Sequence, residues 1–368
     1  MVRLRAVARK EWIQLRRDPR SLLLAFALPL ALLVFFGYAI NWDVDDLPLA
    51  VLDSDLSPAS RELVESFEAS GLFRVTEYLD SYGEVDGPLV RSEVRGVLII
   101  PAGFSRDLRS PEGATAQLLL DGADANTATI TINYADVLVT RFGARLLGAG
   151  GAPLVQAETR IWYNPTLESK NMIVPALIAV IMSVIAALLT ALTIAREWER
   201  GTMEQLASTP VSRFEVILGK LLPYLLIGMA DVALTVAAGA FIFDAPVRGS
   251  LLLLGIMSFF FLAGALGFGI FISAAVKSQV LATQIAMIAT YLPALLLSGF
   301  LFDIASMPGP LRAVTYLVPA RYFVVVTRGI FLKGVGIDVL WVQGLLMVGF
   351  AVLGLGLATR AFRKEIPA

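Results

Sequence analysis

Long stretches without a charged residue constrain this chain more than any other feature. A helix that crosses a bilayer needs about 20 mostly apolar residues, each advancing about 1.5 Å through roughly 30 Å of hydrocarbon. Arg20 and Asp43 bound one such window, Lys170 and Arg196 a second, and Lys220 and Asp244 a third that only Asp231 interrupts. Arg248 and Lys277 enclose a fourth, Lys277 and Asp303 a fifth, Asp338 and Arg360 a sixth. The predicted spans are 21–42, 171–195, 214–243, 249–276, 278–302 and 339–360. The first is too long for a signal-peptide core and lacks a small-residue cleavage site, so it is read as retained. At 57% hydrophobic and 17% charged, against about 25% charged in soluble chains, the protein needs lipid to cover it.

Six spans put both termini on one side, and Lys/Arg counts in the short flanks decide which. The N-terminal flank 1–20, the loop 196–213 with Lys220, the turn at Lys277 and the tail 361–368 with Arg360 carry fifteen cations; the opposite short loops carry five. Both termini are therefore expected in the cytoplasm, with residues 43–170 outside. With a net charge of −1, nothing suggests a nucleic-acid partner. The absence of Cys and His excludes disulfides, thiolate or imidazole metal sites and histidine-dependent triads.

Residues 43–170 read as an inserted α/β domain. Strands are predicted at Leu47–Leu52, Phe73–Tyr78, Gly96–Ile100 and Ala116–Leu120. Ser57-Pro58 opens a helix that Gly71 closes, Ser81 with Glu84 forms a capping box, and a long helix runs from about Ala125 to Leu147. The Asp121–Asn126 stretch lacks the spacing of a complete calcium loop and reads as an acidic turn. Gly148–Ala152 is the hinge candidate.

Two basic-side segments stand out. Leu4, Val7, Ala8, Trp12 and Leu15 share one helical face while arginines and Lys10 fill the others, which predicts an amphipathic helix over 1–20 lying in the membrane interface. In 196–213, Gly201 stops the second span and Thr202 with Gln205 boxes a short helix from Met203 to about Ser208. Pro210 ends that helix, and Ser212 with Glu215 opens the third span. Three boundary devices in so short a loop suit a helix that transmits force.

The run Arg196–Tyr224, with its REWERGTMEQL, STPVSR and ILGKLLPY pieces, resembles the motif of ABC-2 type transporter permeases. The six-span plan, the amphipathic N-terminal helix and the external domain match that family over essentially the whole chain. The resemblance implies a short cytoplasmic helix that docks a separate ATP-hydrolysing subunit, and it designates Glu197, Arg200, Thr202, Glu204 and Gln205 as contacts. It further implies a bacterial inner-membrane location, export of drug-like, lipid or other amphipathic substrates, and a homodimer or a heterodimer with a paralogue. In some members a periplasmic adaptor takes part. ATP and magnesium then belong to the partner. The chain itself has no P-loop, since Gly219-Lys220 precedes Leu and Lys333 precedes its glycine. No catalytic constellation is visible.

Candidate pathway residues follow from cost. A charge near the bilayer centre costs at least about 2.5–3.5 kcal/mol, so Asp231 faces either a cavity or a hydrogen-bonding neighbour. Gln284 and Tyr291 on the fifth span are weaker candidates, better suited to interhelical hydrogen bonds. Gly264, Gly267 and Gly269 permit close helix packing. In 303–338, Pro308, Pro310 and Pro319 leave pieces too short to cross, predicting a re-entrant outer gate with Tyr316, Arg321 and Tyr322, or else an interfacial belt. Two rivals remain open at this point. A proton-coupled transporter relaying through Asp231 predicts further intramembrane carboxylates and an inverted repeat, neither visible. A sensor reading ligand through 43–170 leaves the capped loop unexplained.

Overall fold

A computed structural model describes residues 2–40, 46–91, 93–110, 113–120, 125–146, 168–203 and 208–362. They form two compact units, one comprising Met1–Asn41 with Ile161–Ala368 and the other Trp42–Arg160. The glycine run 148–152, the acidic turn at 121–124, and Glu204 with Gln205 lie outside the described residues.

The inserted unit is an α/β layer. Strands β1 (Leu47–Asp53), β2 (Phe73–Tyr78), β3 (Gly96–Ile100) and β4 (Gln117–Leu120) lie in the order β2-β1-β3-β4. β1 is parallel to β2 and β3, and β4 runs antiparallel to β3. Because alternate side chains of a strand point to opposite faces, β1 serves two cores. Leu47, Leu49 and Val51 pack with Leu63, Phe67, Phe104 and Phe142, while Ala50 and Leu52 pack with Leu79, Val85, Val97 and Ile99. Helix α3 (Pro58–Glu68) starts at the predicted Ser57 cap, which accepts from the Ser60 amide at 3.1 Å. The chain turns through Gly71 at φ +71°. At Ser81 the box is incomplete: Glu84 reaches the amide of Asp80 instead, leaving a 3₁₀ turn at Tyr82–Glu84 before α4 (Asp86–Val90). Short α5 (Phe104–Asp107) and long α6 (Ala125–Leu146) complete the unit.

The other unit is helical. After α1 (Val2–Arg16) and α2 (Pro19–Ala39) come α7 (Ser169–Glu199), α8 (Arg213–Ile242), α9 (Leu251–Val276), α10 (Gln279–Leu296), the short α11 (Gly309–Thr315) and α12 (Pro319–Arg328), and α13 (Ile337–Ala361). Helices α7, α8, α9, α10 and α13 are each long and apolar enough to cross a bilayer. α2 adds a shorter apolar run, Ala25–Ala39. Central α7 buries residues on every side, as expected of a helix apolar all round. α9 and α13 approach backbone to backbone: a Cβ at Gly267 would lie 2.8 Å from the Gly354 carbonyl carbon. Only glycine allows that contact.

Two expectations need correction. The fifth span was expected to reach residue 302, but α10 ends at Leu296 and the chain bends through Gly299 at φ +82°. The Gly299 and Phe300 carbonyls, released from the helix, accept from the Arg328 guanidinium at 2.9 and 3.4 Å. Helix α1 was expected to turn an apolar face to lipid. Its buried stripe is Val7, Glu11 and Leu15, and Val7 seats against Gly219 of α8. The protein, not lipid alone, covers that face. Beyond α10, Gly309–Thr315 and Pro319–Lys333 meet at 79°, the broken path that the prolines predict.

Candidate functional site

The segment Arg196–Glu199 ends α7, and each of its four side chains fastens a different neighbour. Arg196 reaches Asp18, at the start of α2, at 3.4 Å. Glu197 turns inward and is 6% exposed. One of its oxygens takes Lys10 of α1 at 2.6 Å and Lys220 of α8 at 3.3 Å. The Trp198 ring lies 4.2 Å from the ammonium of Lys277, the residue that caps α9. Glu199 accepts from the amide of Gln279 at 2.7 Å and so caps the start of α10, where Ser278 supplies no side-chain cap. The consecutive placement works because residues spaced 100° apart on a helix end point to all sides.

At the centre is a buried ion cluster. Lys220 is 2% exposed and Glu11 3%, and they meet at 2.6 Å. Half-exposed Lys10 joins buried Lys220, Glu11 and Glu197, giving two cations and two anions, so the group is neutral as a whole. Burial of that kind is tolerated only when each charge has its partner. The Thr202 hydroxyl donates to the other Glu197 oxygen, and the Thr202 amide donates to the Glu197 carbonyl at 3.1 Å. This corrects two expectations. Glu197, expected as a docking contact, is not presented at the surface, because burial and two lysines hold it inside. The Thr202 hydroxyl turns back onto α7 and is spent on that carboxylate. Gly201, at φ +69°, makes the predicted stop, and Arg200 is exposed beside it. Arg3 donates to the Pro210 carbonyl at 2.6 Å, tying the far end of the loop to α1. The predicted Ser212–Glu215 box is complete, with Ser212 N to Glu215 Oε2 at 2.8 Å and Glu215 N to Ser212 Oγ at 3.3 Å.

The other candidates fall in separate places. Asp231 of α8 is 1% exposed, and among the described residues neither carboxyl oxygen has a hydrogen-bond partner. The Thr235 hydroxyl beside it donates to the Asp231 backbone carbonyl, not to the carboxyl. Gln284 lies on the outward face of α10 among exposed Val280, Leu281, Ile285 and Ile288. Tyr291 lines a cavity of about 290 Å³ between α2, α7 and α10. Tyr316, Arg321 and Tyr322 do converge at the 79° bend. Arg321 stacks 3.9 Å from the Tyr316 ring and bonds the Thr315 hydroxyl. Tyr322 donates to the Tyr316 carbonyl at 2.8 Å. Beside them a largely apolar cavity of about 360 Å³ opens between α7, α9, α10, α13 and the bend, lined by Phe261, Phe268, Pro293, Leu317 and Phe350.

Sequence reasoning missed Glu11, Lys220 and Arg328 as structural ions. A signal existed for the first: Glu11 sits within the apolar stripe of α1, four residues from both Val7 and Leu15. For Lys220, which bounds the third apolar window, nothing local marks the side chain as buried.

Comparison with known proteins agrees with this architecture. The family model for "ABC-2 family transporter protein" matches residues 19–360. The chain is 39% identical to "Probable multidrug ABC transporter permease YbhS" of Escherichia coli, over 99% of this chain and 97% of that one. It is 31% identical to the E. coli "Probable multidrug ABC transporter permease YbhR" over 92% of each. It is 22% identical to the "Linearmycin resistance permease protein LnrN" of Bacillus subtilis, over 94% of this chain and 96% of the relative. With a motif whose four side chains gather the helix ends, and a family match that spans the bundle from α2 to α13, the protein belongs to the ABC-2 family of transporter permeases.

Proposed function

We propose that this chain is the permease subunit of an ATP-driven exporter in a bacterial inner membrane, with its basic end in the cytoplasm and residues 196–213 docking a separate ATPase. The observation that carries the reading is the junction at Arg196–Glu199. A push on the loop that follows it is delivered at once to α1, α2, α8, α9 and α10 through named contacts. In this reading Arg200, Glu204 and Gln205 meet the ATPase, while Glu197 and Thr202 fix the angle at which the loop leaves the bundle. ATP and magnesium bind the partner.

Amphipathic, drug-like compounds are the proposed substrates, supported by the apolar cavity beside the bend and by the multidrug names of two relatives. Tyr291 and the Tyr316–Arg321–Tyr322 cluster are proposed to line the route, and Asp231 to respond to its occupancy. The chain is proposed to act as a dimer with itself or a paralogue: Gln284 on an outward apolar face is better covered by protein than by lipid. An external adaptor would bind the inserted unit.

The test is recovery of the ATPase with the permease at matched membrane expression. Glu204→Lys, which reverses charge at a desolvated contact, should abolish recovery, whereas Glu112→Lys on the external unit should leave it intact. Full recovery with Glu204→Lys would refute the assignment of the loop.

A further inference from the structure

A second basic feature at the same end of the bundle takes no part in the junction. Arg213, the first residue of α8, and Arg360, in the last turn of α13, line one groove of about 570 Å³ with Phe214, Leu355 and Gly356. These two arginines are 147 residues apart in sequence, and they are brought together only by the fold. Among the described residues neither guanidinium has a carboxylate partner. Glu215, the nearest acid along α8, is occupied by the amide and hydroxyl of Ser212. The wall below the arginines is apolar and open. Phe214 is exposed, and a Cβ built on Gly356 meets nothing within 4 Å.

We propose that this groove binds one anionic phospholipid, the phosphate held between Arg213 and Arg360 and an acyl chain laid along Phe214, Leu355 and Gly356. Charge complementarity selects the headgroup. Basic pockets between membrane helices attract anionic lipid, and planar guanidinium forks match phosphate oxygens. The apolar wall selects a lipid over a free phosphate. A cation at the end of α13 is already favoured by the helix dipole, so the site is poised without a bound anion. The leaflet that supplies the lipid follows from the cytoplasmic orientation proposed above. Binding in detergent does not depend on that orientation, so either claim can fail alone.

The experiment counts bound lipid by native mass spectrometry of the detergent-purified full chain, titrated with dioleoyl-phosphatidylglycerol or dioleoyl-phosphatidylcholine. The wild type should hold one phosphatidylglycerol per chain in preference to phosphatidylcholine, and glycerol phosphate should not displace it. Arg213→Gln with Arg360→Gln should weaken that binding about tenfold or more. Paired replacement by Lys should restore much of it, which separates charge from misfolding. Gly356→Leu, which projects into open space, should fold and still lower retention by filling the groove. Unchanged phosphatidylglycerol binding in the double Gln variant would overturn the site. So would an equal loss from Arg16→Gln with Arg17→Gln, which lie outside the groove, or displacement by glycerol phosphate alone.

Discussion

Glu197 and Asp231 are both buried acids of the helical unit, and the protein treats them in opposite ways. Glu197 is met by Lys10, Lys220 and Thr202; Asp231 is met by none of the described residues through its carboxyl oxygens. A paired buried charge locks the elements that carry its partners, because moving one element strands an ion. An unpartnered carboxyl locks nothing, and its burial costs free energy that later contacts can recover. The difference separates a joint from a proposed responsive site: ion pairs tie α1, α7 and α8 together at the basic end, while no such tie is made by the Asp231 carboxyl in the middle of α8 among the described residues.

The strongest way to break this comparison is Lys220→Met. It strands Glu11 with no cation and leaves Glu197 with Lys10 alone, for an expected loss of about 3–5 kcal/mol. The measurement is thermal unfolding of the purified protein, and the variant should unfold at a markedly lower temperature. Adding Glu11→Leu should recover most of the loss, since one anion then leaves with one cation. If the double variant is as unstable as the single, the cluster does not act as a neutral set.

Thr202→Val sharpens the same contrast at smaller cost. It removes one hydrogen bond to a charged group, worth about 1.5–3 kcal/mol, and frees the start of the loop. Faster hydrogen exchange at the Thr202 amide is the expected sign. Unchanged exchange would mean that the hydroxyl does not hold the loop. Asp231→Asn should change unfolding by less than about 1 kcal/mol, because no partner is lost, yet it should alter substrate-stimulated ATP hydrolysis in the assembled transporter. A large loss of stability would mean that Asp231 belongs with Glu197.

The smallest effect lies outside the bundle. Asp55 is held below the usual carboxylate range, chiefly by the Ser57 hydroxyl, then by the Ser105 hydroxyl and the amides of Ser105 and Gly103. A depressed carboxylate adds stability above its unfolded pKa, near 3.9, and loses it as pH falls through the lower folded value. Exchange protection of the Gly103 and Ser105 amides should therefore drop below about pH 4, and Asp55→Asn should remove that dependence. Asp55 is only half-buried, which keeps the effect modest.

How much of this was legible in the sequence depends on the range of the interaction. The apolar windows of α7, α8, α9 and α13, the Ser57 and Ser212 starts, the Gly201 stop and the alternation of β1 are local, and the folded chain keeps them. The early end of α10 was hidden because Leu297–Phe302 is apolar enough to continue a span. Only the left-handed Gly299 and the distant Arg328 make a bend affordable there. The junction was half legible. Its residues form a recognisable motif, but a motif alone does not tell an inward ion pair from an outward contact. Nothing within 196–220 reveals that Glu11, some 186 residues away from Glu197, completes the ion cluster by pairing Lys220, or that Lys10 joins Lys220 in turning Glu197 inward.

The loop leaving this junction is proposed to receive the ATPase. Ser208, exposed near its far end, can be replaced by cysteine in a chain that has no other. In sealed inside-out vesicles, Ser208→Cys should react with a membrane-impermeant maleimide when the permease is expressed alone and be protected several-fold when the ATPase is co-expressed. Equal labelling with and without the ATPase, at confirmed co-purification, would contradict the account.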